Sequence, residues 1–272
     1  MKHEFEVARS AALESGKILL DYYDNDYKID DKGASLMYSG LNPVTDADRA
    51  SDEYLKSTLT SEFPHYGWLS EETKDSPDRL SKERVWIVDP LDGTKEYIEK
   101  VPMWVVSIAL VENKEPVLGI LYNPVKEELF SAVKGEGAKL NGERVSCSTE
   151  TDPSQMVILN SRTETRDGLW LPYKDEFKEL KGVGSVAYKL GLTGAAKADI
   201  FATLRPKNEW DICAGHCIVN EAGGKMIDLN GAEVTYNNKN TLIASGMVAG
   251  YPKAVDNTFA LLTAGDSERA YG

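Results

Sequence analysis

The chain has 272 residues, of which 42% are hydrophobic and 28% charged, the composition of an ordinary globular protein. Its 44 acidic and 31 basic residues give a formal charge of −13, which argues against a nucleic-acid polymer or an anionic membrane as a partner. No apolar stretch approaches the roughly 18 residues of a membrane span, and the first residues lack the apolar core of a signal peptide. We therefore expect no membrane insertion and a cytoplasmic location.

Helices followed by strands are predicted for the first 150 residues. Apolar residues recur at helical spacing over 3–23, and a second helix, 46–63, begins after Thr45, a typical N-cap residue. The polar connector 24–42 joins these two helices. The sequence leaves open whether this connector forms a lid next to Asp48. β-Branched runs predict an antiparallel sheet with strands at 85–89, 103–112, 116–122 and 128–133, and Asn141-Gly142 predicts a hairpin.

Strands and helices alternate after about residue 150, which is typical of an α/β arrangement. The predicted strands are 156–160, 199–203 and 225–229, and the predicted helices are 174–181, 185–195, 211–222 and 252–263. We divide the chain into an N-terminal α+β half, residues 1–150, and a C-terminal α/β half, residues 151–272. Cys213 and Cys217 lie four residues apart in one predicted helix, and packed, reduced thiols are favoured there over a zinc site.

The segment 86–97, "WIVDPLDGTKEY", ends a buried strand with two carboxylates, Asp89 and Asp92. Buried charge is costly unless opposite charge is present. Oxygen ligands at this short spacing, together with the Leu91 carbonyl, suit a hard cation such as Mg²⁺. Gly93 and Thr94 follow, and backbone N–H groups at a helix start would form a phosphate seat. A surface turn of the same composition is the alternative.

Other acidic residues favour the metal site over the turn. Glu71 and Glu72 follow an apolar pair in "WLSEETK", and Asp211 begins the predicted helix 211–222. Asp46 and Asp48 lie in the first turn of the helix 46–63. For the helix-start aspartates the alternative is capping and charge complementation of the helix N-terminus.

In chain order, the motifs "PVTDAD", "SEE", "DPLDGT", "GS", "WDICAG" and "EAGG" resemble the inositol monophosphatase-like superfamily of Mg²⁺-dependent, lithium-sensitive phosphatases. The resemblance covers roughly residues 5–265. It implies a layered α-β-α-β-α sandwich, with an antiparallel sheet in the N-terminal half and the metals in the cleft between the halves.

The resemblance also implies a role for each acidic motif, with two Mg²⁺ ions and room for a third. The first ion would be held by Glu71, Asp89 and the Leu91 carbonyl, and the second by Asp89, Asp92 and Asp211. Asp48 falls where the superfamily often places a third ion or its water. Glu71 and Thr94 would orient and deprotonate the attacking water, and Gly93 and Thr94 would contact the scissile phosphate.

Finer features of the sequence concern the substrate. "DPLDGTKEY", with Lys95 and Glu96, is similar to 3′(2′),5′-bisphosphate nucleotidases, whereas inositol monophosphatases usually carry "DPIDGTxNF". Ten residues separate Ala198-Asp199 from Trp210-Asp211, as in the nucleotidases. Thr203 stands where inositol monophosphatases carry a glutamate that contacts the inositol ring. The expected reaction converts adenosine 3′,5′-bisphosphate to AMP and phosphate, which would clear a by-product of sulfate assimilation.

Substrate contacts are assigned by the same resemblance to Gly93, Thr94, Lys95, Gly184, Ser185, Lys189, Arg205 and Asp211. One departure concerns adenosine, because Thr163 and Glu164 stand where many nucleotidases carry a Ser-His pair that helps to hold it. The alternatives are an inositol monophosphatase, another sugar phosphatase such as a fructose-1,6-bisphosphatase, and, more remotely, a binding or regulatory member without activity. The expected partner is a small phosphate ester, and the sequence leaves monomer and homodimer open.

Overall fold

The computed structural model describes residues 1–33 and 42–269, with 265–269 by backbone alone. The helices are α1 (Lys2–Asp24), α2 (Asp46–Glu62), α3 (Thr94–Ile98), α4 (Arg162–Arg166), α5 (Val186–Gly194), α6 (Glu209–Glu221) and α7 (Pro252–Arg269). Short 3₁₀ helices lie at Pro77–Ser81, Pro153–Gln155 and Leu171–Tyr173. No helix within these described ranges is long and apolar enough to cross a membrane.

The first sheet contains seven strands that follow chain order across the sheet. They are β3 (Gly67–Ser70), β4 (Arg84–Asp92), β5 (Val105–Glu112), β6 (Glu115–Asn123), β7 (Glu128–Val133), β8 (Gly137–Leu140) and β9 (Glu143–Val145). β3 joins β4 in parallel and every later pair is antiparallel. A smaller ladder pairs β1 (Ile29–Asp31) with β2 (Pro43–Thr45).

The second sheet has the order β11-β10-β12-β16-β14 and mixes both strand directions. Its strands are β10 (Val157–Ser161), β11 (Glu179–Val183), β12 (Ile200–Thr203), β14 (Lys225–Asp228) and β16 (Met247–Gly250), and a separate ladder joins β13 (Lys207–Asn208) to β15 (Leu242–Ile243). β10 runs parallel to β11 and β12, whereas β16 is antiparallel to β12 and β14.

Alternating side chains divide the interior into layers. In β5, Val106, Ile108 and Leu110 pack with α1 and α2, whereas Val105 and Ala109 face α5 and α6. The second sheet repeats this pattern, with α5 and α6 on one face and α7 on the other. A strand presents alternate residues to opposite faces, so each sheet is covered on both sides. The predicted α-β-α-β-α sandwich is therefore confirmed.

Helix α6 lies between the two sheets and is buried around most of its circumference, with Ile212, Cys213, Cys217 and Ile218 fully enclosed. It approaches β6 at Gly119, where an added Cβ would lie 2.4 Å from the Ala214 carbonyl oxygen. The missing side chain lets the helix lie directly on the sheet. Helix α6 contacts strands of both sheets and so joins the two halves of the chain. The division of the chain at residue 150 stays a prediction.

Several predicted elements differ from the structure. The predicted helix 174–181 is wrong, because Glu179–Val183 forms β11 and pairs in parallel with β10. Backbone pairing at a sheet edge overrides a weak helical pattern there. Strand β3 was not predicted. The Asn141-Gly142 hairpin is confirmed, with positive φ angles of 50° and 87°. Of the connector 24–42, residues 34–41 lie outside the described residues.

Candidate active site

The end of β4 contains a bulge that separates Asp89 from Asp92. Asp89 pairs with Ser107 and Asp92 with Val105, so β4 contains one more residue than β5 over this stretch. The Leu91 N–H donates to Asp89 Oδ1 at 3.0 Å. Both carboxylates are buried at the mouth of the sheet, in agreement with the prediction that this strand delivers two acids to one place.

Three carboxylates from three elements meet beside this bulge. Glu71, just after β3, Asp89, near the end of β4, and Asp211, in the first turn of α6, each offer an oxygen within 4.8 Å of the others. Burial and neighbouring carboxylates raise the pKa of both Asp89 and Asp211 well above the ordinary value. A buried cluster of oxygen donors with this repulsion suits a hard divalent cation, so the residues fit Mg²⁺.

Lys32 supplies a positive charge at this cluster, a contact that no local sequence pattern predicts. Its Nζ donates to Glu71 Oε1 at 2.8 Å and also to Glu72. Burial lowers the pKa of Lys32, but Glu71 and Glu72 raise it by a larger amount. The pKa of Lys32 therefore lies above its ordinary value. The pairing of β1 with β2 brings this lysine to the end of β3.

Asp92 connects the end of β4 to the start of α5. Its Oδ2 accepts hydrogen bonds from Ser185 Oγ at 2.7 Å and from the Ala187 N–H at 2.6 Å. Burial raises the pKa of Asp92 to about 6. Ser185, expected at the substrate, therefore orients Asp92 in this structure. Gly184 packs against Glu96, whose Cγ would lie 2.2 Å from an added Cβ.

Asp48 combines the two roles that its sequence position left open. As part of a capping box, its Oδ2 accepts the Thr45 N–H at 2.7 Å. Its Oδ1 accepts the Thr94 hydroxyl at 3.0 Å, and this hydroxyl lies 3.3 Å from the Leu91 carbonyl oxygen. Burial raises the pKa of Asp48 to about 6. Gly93, with φ of 105°, allows the sharp turn between these residues.

A cavity opens above these groups. Three of its lining residues, which we call the acidic floor, are Glu71, Asp89 and Asp92. Its basic lining residues, which we call the basic wall, are Lys95, Arg162, Lys189, Arg205 and Lys207. A chain with a large negative net charge thus places cations and carboxylates at one cavity.

Most cations of the basic wall already have partners in the protein. Lys189 Nζ donates to the carbonyls of Val183 at 2.9 Å and Ser185 at 2.7 Å, and burial lowers its pKa to about 8. Arg162 pairs with Glu96 at 3.0 Å and with Glu99. Lys207 donates to the Pro206 carbonyl at 2.9 Å.

Arg205 differs from these cations. Its Nη2 pairs with Asp167 at 2.7 Å, but its enclosed Nη1 has no hydrogen-bond partner among the described residues. An enclosed donor without an acceptor is costly, because it has lost its hydrogen bonds to water.

Comparison with known proteins identifies the group to which this site belongs. The model of the inositol monophosphatase family matches residues 1–261. The chain belongs to the inositol monophosphatase family. An inositol monophosphatase from Dictyostelium discoideum is 34% identical over 257 residues, which cover 90% of this chain and 89% of that protein.

Two solved structures show the same relationship. A Thermotoga maritima IMPase superposes with a TM-score of 0.83 and 26% identity, covering 98% of each chain. CysQ from Bacteroides thetaiotaomicron, described as a bacterial member of the inositol monophosphatase family, has a TM-score of 0.74 and 31% identity over 92% of this chain and 98% of its own. The family is one of Mg²⁺-dependent phosphatases that act on small phosphate esters.

Within this family fold, the structure brings together most residues that the sequence nominated. Glu71, Asp89 and Asp211 converge, Thr94 contacts Asp48, and the remaining predicted residues other than Asp48 and Asp211 line the cavity. Their roles towards metal and substrate stay predictions.

Glu164 also lines the cavity, and sequence reasoning treated it only as a departure from the adenosine-binding pattern. Its buried carboxylate accepts the Thr203 hydroxyl at 2.5 Å. A carboxylate is therefore present beside Thr203 after all, supplied by a different element. Only the fold reveals this contact, because 39 residues separate the two positions.

Proposed function

We propose that this chain is a Mg²⁺-dependent phosphomonoesterase whose substrate carries a second anionic group, with a 3′(2′),5′-bisphosphate nucleotide as the foremost candidate. The observation that supports it most strongly is that the Arg205 side chain, which is 20% exposed, lines the same cavity as the carboxylates of the acidic floor. A guanidinium at this cavity can bind a second phosphate through charge-assisted hydrogen bonds. Lys95 lies close enough to Arg205 for the two charges to interact.

The acidic floor would hold the phosphate that is cleaved. Glu71, Asp89, the Leu91 carbonyl, Asp92 and Asp211 would bind two Mg²⁺ ions, as the family resemblance implies. Bound Mg²⁺ supplies Lewis-acid stabilisation of the charge that develops on the phosphoryl oxygens.

The protein would supply the orientation of the attacking water. The Thr94 hydroxyl donates to Asp48, so its lone pairs are left to accept a hydrogen bond from a water molecule. Asp48 has a pKa of about 6 and is therefore an effective proton acceptor near neutral pH. The water proton would pass through Thr94 to Asp48 while the water oxygen attacks phosphorus, and solvent would protonate the departing alkoxide.

A second candidate, inositol monophosphatase, is favoured by similarity to the inositol monophosphatase from Dictyostelium discoideum. The Glu164 carboxylate beside Thr203 does not strengthen the inositol candidate. Each of its two oxygens already accepts two hydrogen bonds within the protein. It has no capacity left for ring hydroxyls of inositol. Fructose 1,6-bisphosphate, which carries two phosphates, suits the basic wall better.

The experiment is phosphate release by the purified protein with Mg²⁺, with parallel reactions in EDTA. Adenosine 3′,5′-bisphosphate is compared with adenosine 3′-monophosphate, which differs only in the second phosphate, and with inositol 1-phosphate and fructose 1,6-bisphosphate. We expect kcat/KM for the bisphosphate nucleotide to exceed that for the monophosphate by about tenfold or more, the value of one charge-assisted hydrogen bond. Equal values would refute the second-anion proposal, and faster turnover of fructose 1,6-bisphosphate would replace the nucleotide with a sugar.

A further inference from the structure

Glu164 is a buried carboxylate that the proposed chemistry does not use. It is only 1% exposed, and it lies in α4 beside the cavity. Its Oε1 accepts the Thr203 hydroxyl at 2.5 Å and the Arg205 N–H at 3.3 Å. Its Oε2 accepts Trp170 Nε1 at 2.9 Å and the Leu204 N–H at 3.2 Å. Four donors fill the acceptor sites of a carboxylate, so Glu164 cannot also bind substrate.

These contacts fix the backbone on which Arg205 stands. Two of the four donors are the successive N–H groups of Leu204 and Arg205, which follow directly after β12. Hydrogen bonds from two adjacent N–H groups to one buried charge restrict both peptide planes. The Lys207 ammonium, 3.8 Å from Oε1, partly compensates the buried negative charge.

The far end of the Arg205 side chain is fixed by the same segment. Asp167, the residue after α4, pairs with Arg205 Nη2 at 2.7 Å. Backbone and guanidinium are therefore both held from 164–167, while the Arg205 side chain stays 20% exposed and lines the cavity. A guanidinium restrained at both ends loses little conformational freedom when it binds an anion.

We propose that Glu164 is a positioning residue that determines the preference for substrates with a second anionic group, because it sets the location of the Arg205 guanidinium. This inference rests on the proposed function. It assigns the discrimination to a residue that does not touch the substrate, through two backbone hydrogen bonds and the Arg205 side chain.

The test is the ratio of kcat/KM for adenosine 3′,5′-bisphosphate to that for adenosine 3′-monophosphate in Glu164→Gln. Glutamine keeps the shape, but one carboxylate oxygen becomes an NH₂ group, so in either orientation of the amide the N–H of Leu204 or of Arg205 loses its acceptor. We expect the ratio to fall about tenfold, mainly through a higher KM for the bisphosphate, since one charge-assisted contact is lost in the bound state. Glu164→Asp, which keeps the charge, should restore part of the ratio.

A double-mutant cycle with Arg205→Gln separates positioning from general damage. If Glu164 acts through Arg205, then Glu164→Gln should change the ratio little once Arg205 is already glutamine. Equal losses for both substrates, or a full additional loss in the double variant, would overturn the inference. If Glu164→Gln does not fold, Asp167→Asn releases the other end of Arg205 and should lower the same ratio, and an unchanged ratio would equally refute the positioning scheme.

The outcomes also separate this inference from the proposed function. A wild-type ratio near one contradicts the second-anion substrate itself. A high wild-type ratio that persists in Glu164→Gln contradicts only the role of Glu164.

Discussion

The acidic floor and the basic wall line one cavity, but they differ in how their charges are balanced. Asp89 and Asp92 of the floor have raised pKa values, and Lys32 forms an ion pair with Glu71. Cations of the wall are held by protein groups: Lys189 donates hydrogen bonds to carbonyls, and Arg162 and Arg205 pair with carboxylates. The comparison indicates that the floor needs added cations to balance its charge. The wall instead selects ligands through the few donors that are not used within the protein.

The largest expected effect concerns the floor. Asp92→Asn removes one charge at the junction of β4 and α5 but keeps an acceptor for Ser185 and Ala187. We expect kcat/KM to fall about 10³-fold for every substrate, since charge that stabilises the transition state is lost. Steady-state phosphate release measures it, with the exposed Asp21→Asn as the control. Activity within a few-fold of wild type would contradict the assignment of Asp92 to the metal site.

A smaller loss is expected for the residue between water and base. Thr94→Val keeps the volume of the side chain but removes the hydroxyl that donates to Asp48. We expect kcat to fall about 10²-fold with KM nearly unchanged, the usual contribution of a positioned proton-transfer group. A change confined to KM would assign Thr94 to substrate binding instead.

The wall should respond selectively. Arg205→Gln removes a guanidinium that lines the cavity, and we expect kcat/KM for the bisphosphate nucleotide to fall about tenfold while that for the monophosphate changes less. The exposed Arg9→Gln makes the same charge change far from these contacts and should alter neither value. If both substrates lose activity equally, the floor and the wall are not separate in function.

The smallest expected effect is on stability. Asp48 and Asp92 have folded pKa values of about 6 against an ordinary value of 3.8. Between these values the metal-free folded protein holds more protons than the unfolded chain, so its stability falls as pH rises from about 4 to 6. Mg²⁺ should offset this loss, and the melting temperature gained on replacing EDTA by Mg²⁺ should grow from pH 5 to pH 7, reaching about 5–10 °C.

His216 serves as the internal check for that measurement. Burial lowers its pKa from the ordinary value of 6.5 to about 4, so its contribution to stability rises with pH over the same interval. It bonds Tyr236 rather than the carboxylate cluster, so its effect should be the same in Mg²⁺ and in EDTA and should cancel in the difference. A gain that shrinks with pH would contradict a competition between protons and metal at the floor.

Local patterns predicted much of this molecule, and long-range contacts account for what they missed. β-Branched runs located β4 to β7, and Asn141-Gly142 located a hairpin, because those signals lie within a few residues. The motif residues of the floor were found by their order along the chain. Lys32 and Glu164 were not, because the contacts of Lys32 with Glu71 and of Glu164 with Thr203 each join residues 39 positions apart, and no local spacing encodes them. The segment 179–183 failed for a related reason, since a neighbouring strand determines its conformation.

Gly119 shows how far the control of this site extends. The absence of a side chain at Gly119 sets the spacing between α6 and β6, because an added Cβ would lie 2.4 Å from the Ala214 carbonyl oxygen. Helix α6 carries Asp211 and the sheet carries Asp89, so this close contact sets the separation of two carboxylates that could hold a cation. Gly119 does not itself line the cavity. A substitution at Gly119 would therefore lower metal affinity from outside the cavity. In a genetic screen it would have the phenotype of an active-site mutation.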